Sequence, residues 1–77
     1  MEKKDYSQII PHNITTILKS KGFKQSFIAN KAGFSEKQFV DMLHNRKIIR
    51  AEYIPKIASA LEVTPDDLFR QSEKEAG

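Results

Sequence analysis

Apolar residues along this chain recur at helical spacing and nowhere alternate in the manner of a strand. Ile10, Ile14, Ile17 and Leu18 fall at i, i+4, i+7 and i+8, one stripe of an amphipathic helix. Pro11 suits a first helical position, where its missing N–H costs nothing, and Gly22 offers the left-handed residue that ends a helix. Lys19 and Lys21 complement the negative end of the helix dipole. The pattern predicts a first helix near 11–21. A short second helix near 25–32 follows, with Ile28, Ala29 and Ala32 inward and Gly33 at its end. Its start is weak, because Lys24 stands where a short oxygen-bearing side chain caps best.

The third helix has the clearest start. Ser35 caps, and Gln38 three residues on reaches back to the Ser35 amide, a reciprocal capping box. Phe39 and Met42 face inward, the helix stops near His44, and Asn45 adopts the left-handed conformation. After a loop at Arg46–Arg50, Ile54, Ile57, Ala58 and Leu61 make a fourth stripe, with Pro55 confined to its first turn or kinking it. Thr64-Pro65-Asp66-Asp67 reads as a cap, a first-turn proline and two acids at the positive end of a fifth helix, whose buried pair is Leu68 and Phe69. The expectation is an all-α fold with an N-terminal arm at 1–10, one domain at 11–70 and a frayed tail at 71–77.

Length bounds what this fold can do. Seventy-seven residues make one small domain, or a piece of something larger, that must spend nearly every large apolar side chain on a single core, leaving no room for a cleft between lobes. Cysteine is absent, which excludes disulfides and thiolate metal sites, and His12 and His44 stand too far apart to suggest a zinc site. No nucleophile triad, phosphate-cradling glycine loop or paired-carboxylate cleft is present, so an enzyme and a cofactor are not expected. The opening MEKKDYSQ lacks the apolar stretch of a secretory signal, and no apolar run approaches membrane-spanning length. A soluble, cytoplasmic protein is expected.

Charge sharpens the picture. Lys19, Lys21, Lys24, Lys31, Lys37, Arg46, Lys47 and Arg50 stand against only Glu36 and Asp41 over that stretch, whereas acids outnumber bases elsewhere and the chain nets +3. Basic charge gathered in this way is the footprint of a phosphate-binding face, or else the solvation of several helix surfaces.

The short helices on either side of Gly33 form a unit at 25–44, in which a glycine-containing turn lets two helices cross at roughly 90–120°. The run Gln25 to Met42, QSFIANKAGFSEKQFVDM, resembles the helix-turn-helix of the Xre/Cro-like family, to which the lambda-type phage repressors belong. The resemblance extends from about Ile14 to Phe69, and includes Ala29, Gly33, Ser35, Phe39 and the run Ile57 to Phe69. It implies a five-helix, lambda-repressor-like DNA-binding domain that regulates transcription from the nucleoid of a bacterial or phage-infected cell. By resemblance, the third helix enters the major groove. Gln25, with Lys24 beside it, meets a phosphate at the start of helix two, and Asn45, Arg46 and Lys47 grip the backbone beyond the groove. Glu36, Lys37, Gln38 and Asp41 match the base-facing positions, and the contact between two copies lies around Val63, Leu68 and Phe69.

The chemistry at these positions is mixed. Lys37 can donate to guanine and Gln38 can pair with adenine, although Gln38 cannot fully serve both a base and the capping box. Glu36 and Asp41 are repelled by phosphate unless they accept from cytosine N4 or are held by a neighbouring cation, and Asp41 lies four residues after Lys37. His44 either contacts a phosphate or closes its helix, Tyr53 either bonds a phosphate or completes the core, and His12 is expected on the surface. Phe27 and Leu43 either extend the core or present an apolar contact to a protein partner. Two readings therefore stand. One is a sequence-specific duplex-DNA regulator, homodimeric on DNA, for which repression fits a short chain better than activation. The other is a protein-interaction module on the same fold, resembling an antitoxin or an anti-regulator.

Overall fold

The computed structural model describes residues 6–70. Five helices follow in order: α1 (Tyr6–Lys21), α2 (Gln25–Ala32), α3 (Glu36–Leu43), α4 (Tyr53–Leu61) and α5 (Pro65–Phe69), with no strand among the described residues. α1 packs on α3 and α5, α2 packs on α3 and α4, and α4 meets α5.

One start differs from expectation. α1 begins five residues before Pro11, which lies inside the helix and is buried, so residues 6–10 are helical rather than an arm. Proline's fixed φ suits any helical position; what it forfeits here is the bond to the Ser7 carbonyl, one turn from the helix start. Packing outweighs that loss, because half-buried Ile10 lies against the core and extends the stripe of Ile14, Ile17 and Leu18. The first half of the expected arm, residues 1–5, and the tail at 71–77 lie outside the described residues.

Four of the helices end in one device. Phe23 donates to Leu18 (3.0 Å), Phe34 to Ala29 (2.8 Å), Arg46 to Asp41 (2.8 Å) and Val63 to Ala58 (3.0 Å), each a bond from N–H to the carbonyl five residues back. The residue before each donor, Gly22, Gly33, Asn45 or Glu62, has positive φ, which completes the Schellman turn. Gly22, Gly33 and Asn45 carry recognisable signals for this role, whereas Glu62 does not. In three of the four turns the donor is an apolar residue packed on the core; after α3 it is Arg46, and the same turn delivers a cation to the surface.

The core is assembled from every helix. Phe39, Ile14, Ile28, Met42, Ile57, Leu61 and Leu68 are its largest fully buried side chains. Leu43 is buried with them, which settles its role as core. Tyr53 is half-buried with its ring edge-on to Phe34 at 4.9 Å, the arrangement aromatic quadrupoles favour. Pro55 sits at the third residue of α4, within the first turn.

Two polar side chains lock the helices together. Asn13 Nδ2 donates to the carbonyls of Leu68 (2.8 Å) and Arg70 (2.7 Å), tying α1 to the end of α5. Lys21 Nζ donates to the carbonyls of Leu61 (2.9 Å) and Glu62 (3.1 Å), closing α4.

Candidate nucleic-acid interface

α3 is presented by its N-terminal cap. Ser35 Oγ accepts from the Gln38 amide (3.1 Å), and Gln38 Oε1 accepts from the Ser35 amide (3.0 Å), so both halves of the expected capping box form. A main-chain N–H can bond only an acceptor, so the cap engages Oε1 and leaves the side-chain NH2 and the second Oε1 lone pair uncommitted. The capping bond thus engages part of the hydrogen-bonding capacity of Gln38, and the rest is left for a base edge.

At about 100° per residue, the buried Phe39, Met42 and Leu43 share one side of α3, which puts Lys37, Asp41 and His44 on the opposite side and Glu36 and Gln38 on its flanks. Glu36, Lys37, Gln38 and His44 are exposed, as is His12 on α1. Asp41 differs, with only 22% of its side chain exposed against 85% for Lys37. Its two oxygens are divided between Lys37 Nζ (Oδ2, 3.3 Å) and Arg46 Nη1 (Oδ1, 3.3 Å). Desolvation raises the Asp41 pKa, but the hydrogen bonds and charges of Lys37 and Arg46 outweigh it and hold the carboxyl below the usual carboxylate range. His44 closes α3, its amide donating to the Val40 carbonyl at 3.0 Å.

The start of α2 lacks a side-chain cap. Lys24 is extended at the N-cap position and makes no capping bond, and Lys24, Gln25 and Ser26 are all exposed. The first amides of this helix are thus unmet by any local side chain, and a helix start in that condition suits an anion. On the other side of α3, the turn Asn45-Arg46-Lys47 is exposed and leads to Ile48, which is 81% exposed. A shallow cleft of about 330 Å³ opens between this turn and Gln8, Ile10 and Pro11 of α1. Ile48 falls within the loop expected at 46–50, where the sequence pattern assigns it no contact.

The basic stretch is less free than its sequence suggests. Lys21 is engaged at the end of α4, Lys31 pairs with Glu62 (3.5 Å) and lies 5.6 Å from the Phe27 ring centre, and Lys37 and Arg46 share Asp41. Among the described residues Lys19, Lys24, Lys47 and Arg50 form no ion pair, and the last three flank α2's start and α3's end.

The apolar surface residues also sort differently from expectation. Leu68 is fully buried and Leu43 is core, so neither is available to a partner or to a second copy. Phe69, expected as the buried mate of Leu68, is 47% exposed, because one turn of a short helix can aim only one of two consecutive side chains inward. Phe27 is 53% exposed, its ring 6.3 Å from that of Phe23, and Val63 is half-buried. Among the described residues no group of acidic or histidine side chains is placed to hold a metal, and no helix is long and apolar enough to cross a membrane.

The family model of the Cro/C1-type helix-turn-helix DNA-binding domain matches residues 13–73. A hypothetical transcription factor from Neisseria has a similar structure, with a TM-score of 0.85, 21% identity, and coverage of 99% of this chain and 87% of that one. The restriction-modification controller protein C.AhdI from Aeromonas hydrophila is also similar, with a TM-score of 0.76, 21% identity, and coverage of 82% and 91% respectively. No curated protein matches the sequence. The structural likenesses establish the five-helix fold.

Proposed function

This chain belongs to the Cro/C1-type helix-turn-helix DNA-binding domain family, and from that premise we propose that it represses transcription by reading duplex DNA as a homodimer. The observation that carries the reading is the placement of charge around α3. Its outer side bears Lys37, while exposed Lys24 and Gln25 stand at the start of α2 and exposed Arg46 and Lys47 at its own end. In this reading α3 enters a major groove about 12 Å wide. Lys37 and Gln38 meet the bases, with Glu36 and Asp41 beside them at the base edges. Lys24 and the free amides at Gln25 take a phosphate on one side, and Asn45, Arg46 and Lys47 take the backbone on the other.

One domain of this size covers about half a site. Two copies on a pseudo-palindrome, with half-sites roughly 34 Å apart, supply the rest of the affinity. Phe69 and Val63, on and beside α5, are the remaining apolar candidates for that contact. The protein-docking alternative loses Leu43 to the core and keeps Phe27 as its principal apolar residue.

Selection from a randomised duplex library tests the proposal directly. Enrichment of a palindrome, with log affinity falling steeply against log salt, is the expected outcome. Arg46→Glu with Lys47→Glu should weaken binding to every sequence, while Lys37→Ala should relax preference at one position. Absence of enrichment would remove the DNA reading and leave protein docking.

A further inference from the structure

We propose that Asp41 is a specificity-determining residue, holding the base-facing Lys37 and the backbone-facing Arg46 as one charge-compensated unit that engages DNA together. The inference rests on the DNA-binding reading above and assigns a particular role within it.

Three observations carry it. First, the carboxylate is bivalent, with Oδ2 on Lys37 and Oδ1 on Arg46, each at 3.3 Å. Second, the anion is recessed and the cations overhang it, the side-chain exposures being 22% for Asp41, 85% for Lys37 and 63% for Arg46. Third, the main chain fixes the spacing, because the Asp41 carbonyl accepts from the amides of Arg46 (2.8 Å) and Lys47 (3.2 Å). The side chain thus bridges a residue one helical turn earlier and a residue in the turn that ends the helix.

Electrostatics then dictates how this unit meets DNA. Non-specific binding draws on phosphate charge alone, and Asp41 cancels one of the two positive charges that Lys37 and Arg46 would otherwise offer. At a specific site Lys37 turns to a base acceptor and Arg46 to a phosphate, and both are withdrawn from Asp41 at the same moment. A carboxylate left without its cations is tolerated only where an exocyclic amino group, such as cytosine N4, meets it. Asp41 therefore penalises wrong duplexes more than right ones, and specificity arises from repulsion as well as attraction.

The test compares the wild-type chain with Asp41→Asn and Asp41→Glu. Each is titrated by fluorescence anisotropy against its selected duplex and a scrambled duplex of equal length, over a range of salt. Asp41→Asn should bind the scrambled duplex several-fold more tightly and lose most of the wild-type discrimination. Its salt slope should steepen by about 0.9, the increment for one further phosphate neutralised. Asp41→Glu should restore both quantities towards wild type, which a purely structural role would not predict. Unchanged discrimination and slope in Asp41→Asn would overturn the proposal. If the wild-type chain itself does not distinguish the two duplexes, the DNA reading fails instead.

A double-mutant cycle leaves Asp41 intact and guards against misfolding of the Asn variant. Removing either cation gives the carboxylate wholly to the other, so Lys37→Gln and Arg46→Gln should each weaken specific binding by more than one contact. The double variant should then lose several-fold less than the product of the single losses. Losses that multiply without interaction would overturn the coupling.

Discussion

Lys21 Nζ lies 2.9 Å from the carbonyl oxygen of Leu61, so the last residue of α1 caps a helix 40 positions away in sequence. A second bond to the Glu62 carbonyl at 3.1 Å places a full positive charge at the negative end of α4. Two charge-assisted bonds to otherwise unmet carbonyls outweigh the entropy of fixing one lysine. Lys21→Met should therefore destabilise the fold by about 1–2 kcal/mol, read by urea unfolding. DNA affinity should stay within about twofold of wild type, because this lysine belongs to the fold and not to the phosphate-binding face.

Glu62 and Gly33 share a left-handed backbone, at φ 62° and 92°, but respond oppositely to substitution. A β-carbon at Gly33 would meet nothing within 4 Å, so any penalty there comes from φ alone. Gly33→Ala should cost about 1–2 kcal/mol. Glu62→Gly should relieve a similar strain while losing the exposed pair with Lys31, worth about 0–1 kcal/mol. Melting temperature should fall for the first variant and rise for the second. A fall in both would show that the Lys31–Glu62 pair outweighs the strain.

These end turns explain how much of the fold was legible in the sequence. A left-handed glycine or asparagine announces itself, as do Ser35 with Gln38 three residues later and Thr64-Pro65, because each acts on its own neighbours in the chain. Glu62 is held by packing of Val63 and by Lys21 from a distant helix, and nothing local signals it. Pro11 misleads for the same reason: proline marks a favourable helix start, yet tertiary packing of Ile10 carries the helix back to Tyr6. The capping box shows that Gln38 is partly spent, while the sharing of Asp41 with Arg46 appears only once the turn after α3 brings them together. Consecutive apolar pairs such as Leu68 and Phe69 stay ambiguous until the short helix is oriented on α1.

Acid should unfold the protein partly through two carboxylates. Asp67 accepts from the Thr64 amide and hydroxyl, both at 3.1 Å, and faces Arg70 at 2.9 Å. The Thr64 main-chain bond, more than any other contact, holds its carboxyl below the usual range, as Lys37 and Arg46 do for Asp41 against the pull of desolvation. A depressed native pKa means the unfolded chain binds more protons at low pH. The stability these groups contribute is thus present above the unfolded value, near pH 4, and is lost as pH falls through the native values. Asp67→Asn should be less stable at pH 7 and show a shallower decline below pH 4, measured by urea unfolding at a series of pH values. An acid limb identical to wild type would remove Asp67 from this account.

Phe39 and Phe27 should separate packing from surface. Phe39 is fully buried where α3 meets the rest of the core, and its removal leaves a cavity that the short helices around it cannot easily collapse. Phe39→Ala should cost about 3–5 kcal/mol. Set against about 4–12 kcal/mol for a domain of this length, that loss consumes much or all of the stability and should flatten the cooperative melt followed by circular dichroism. Phe27 is 53% exposed and keeps contact mainly with Phe23 and the Lys31 ammonium. Phe27→Ala should cost only about 1 kcal/mol, from a partly buried ring and one exposed cation–π contact. Its DNA affinity should be unchanged if α3 carries recognition. Loss of specific DNA binding in a Phe27→Ala variant that remains folded would place the working face on α2 and require the orientation of the whole domain on DNA to be redrawn.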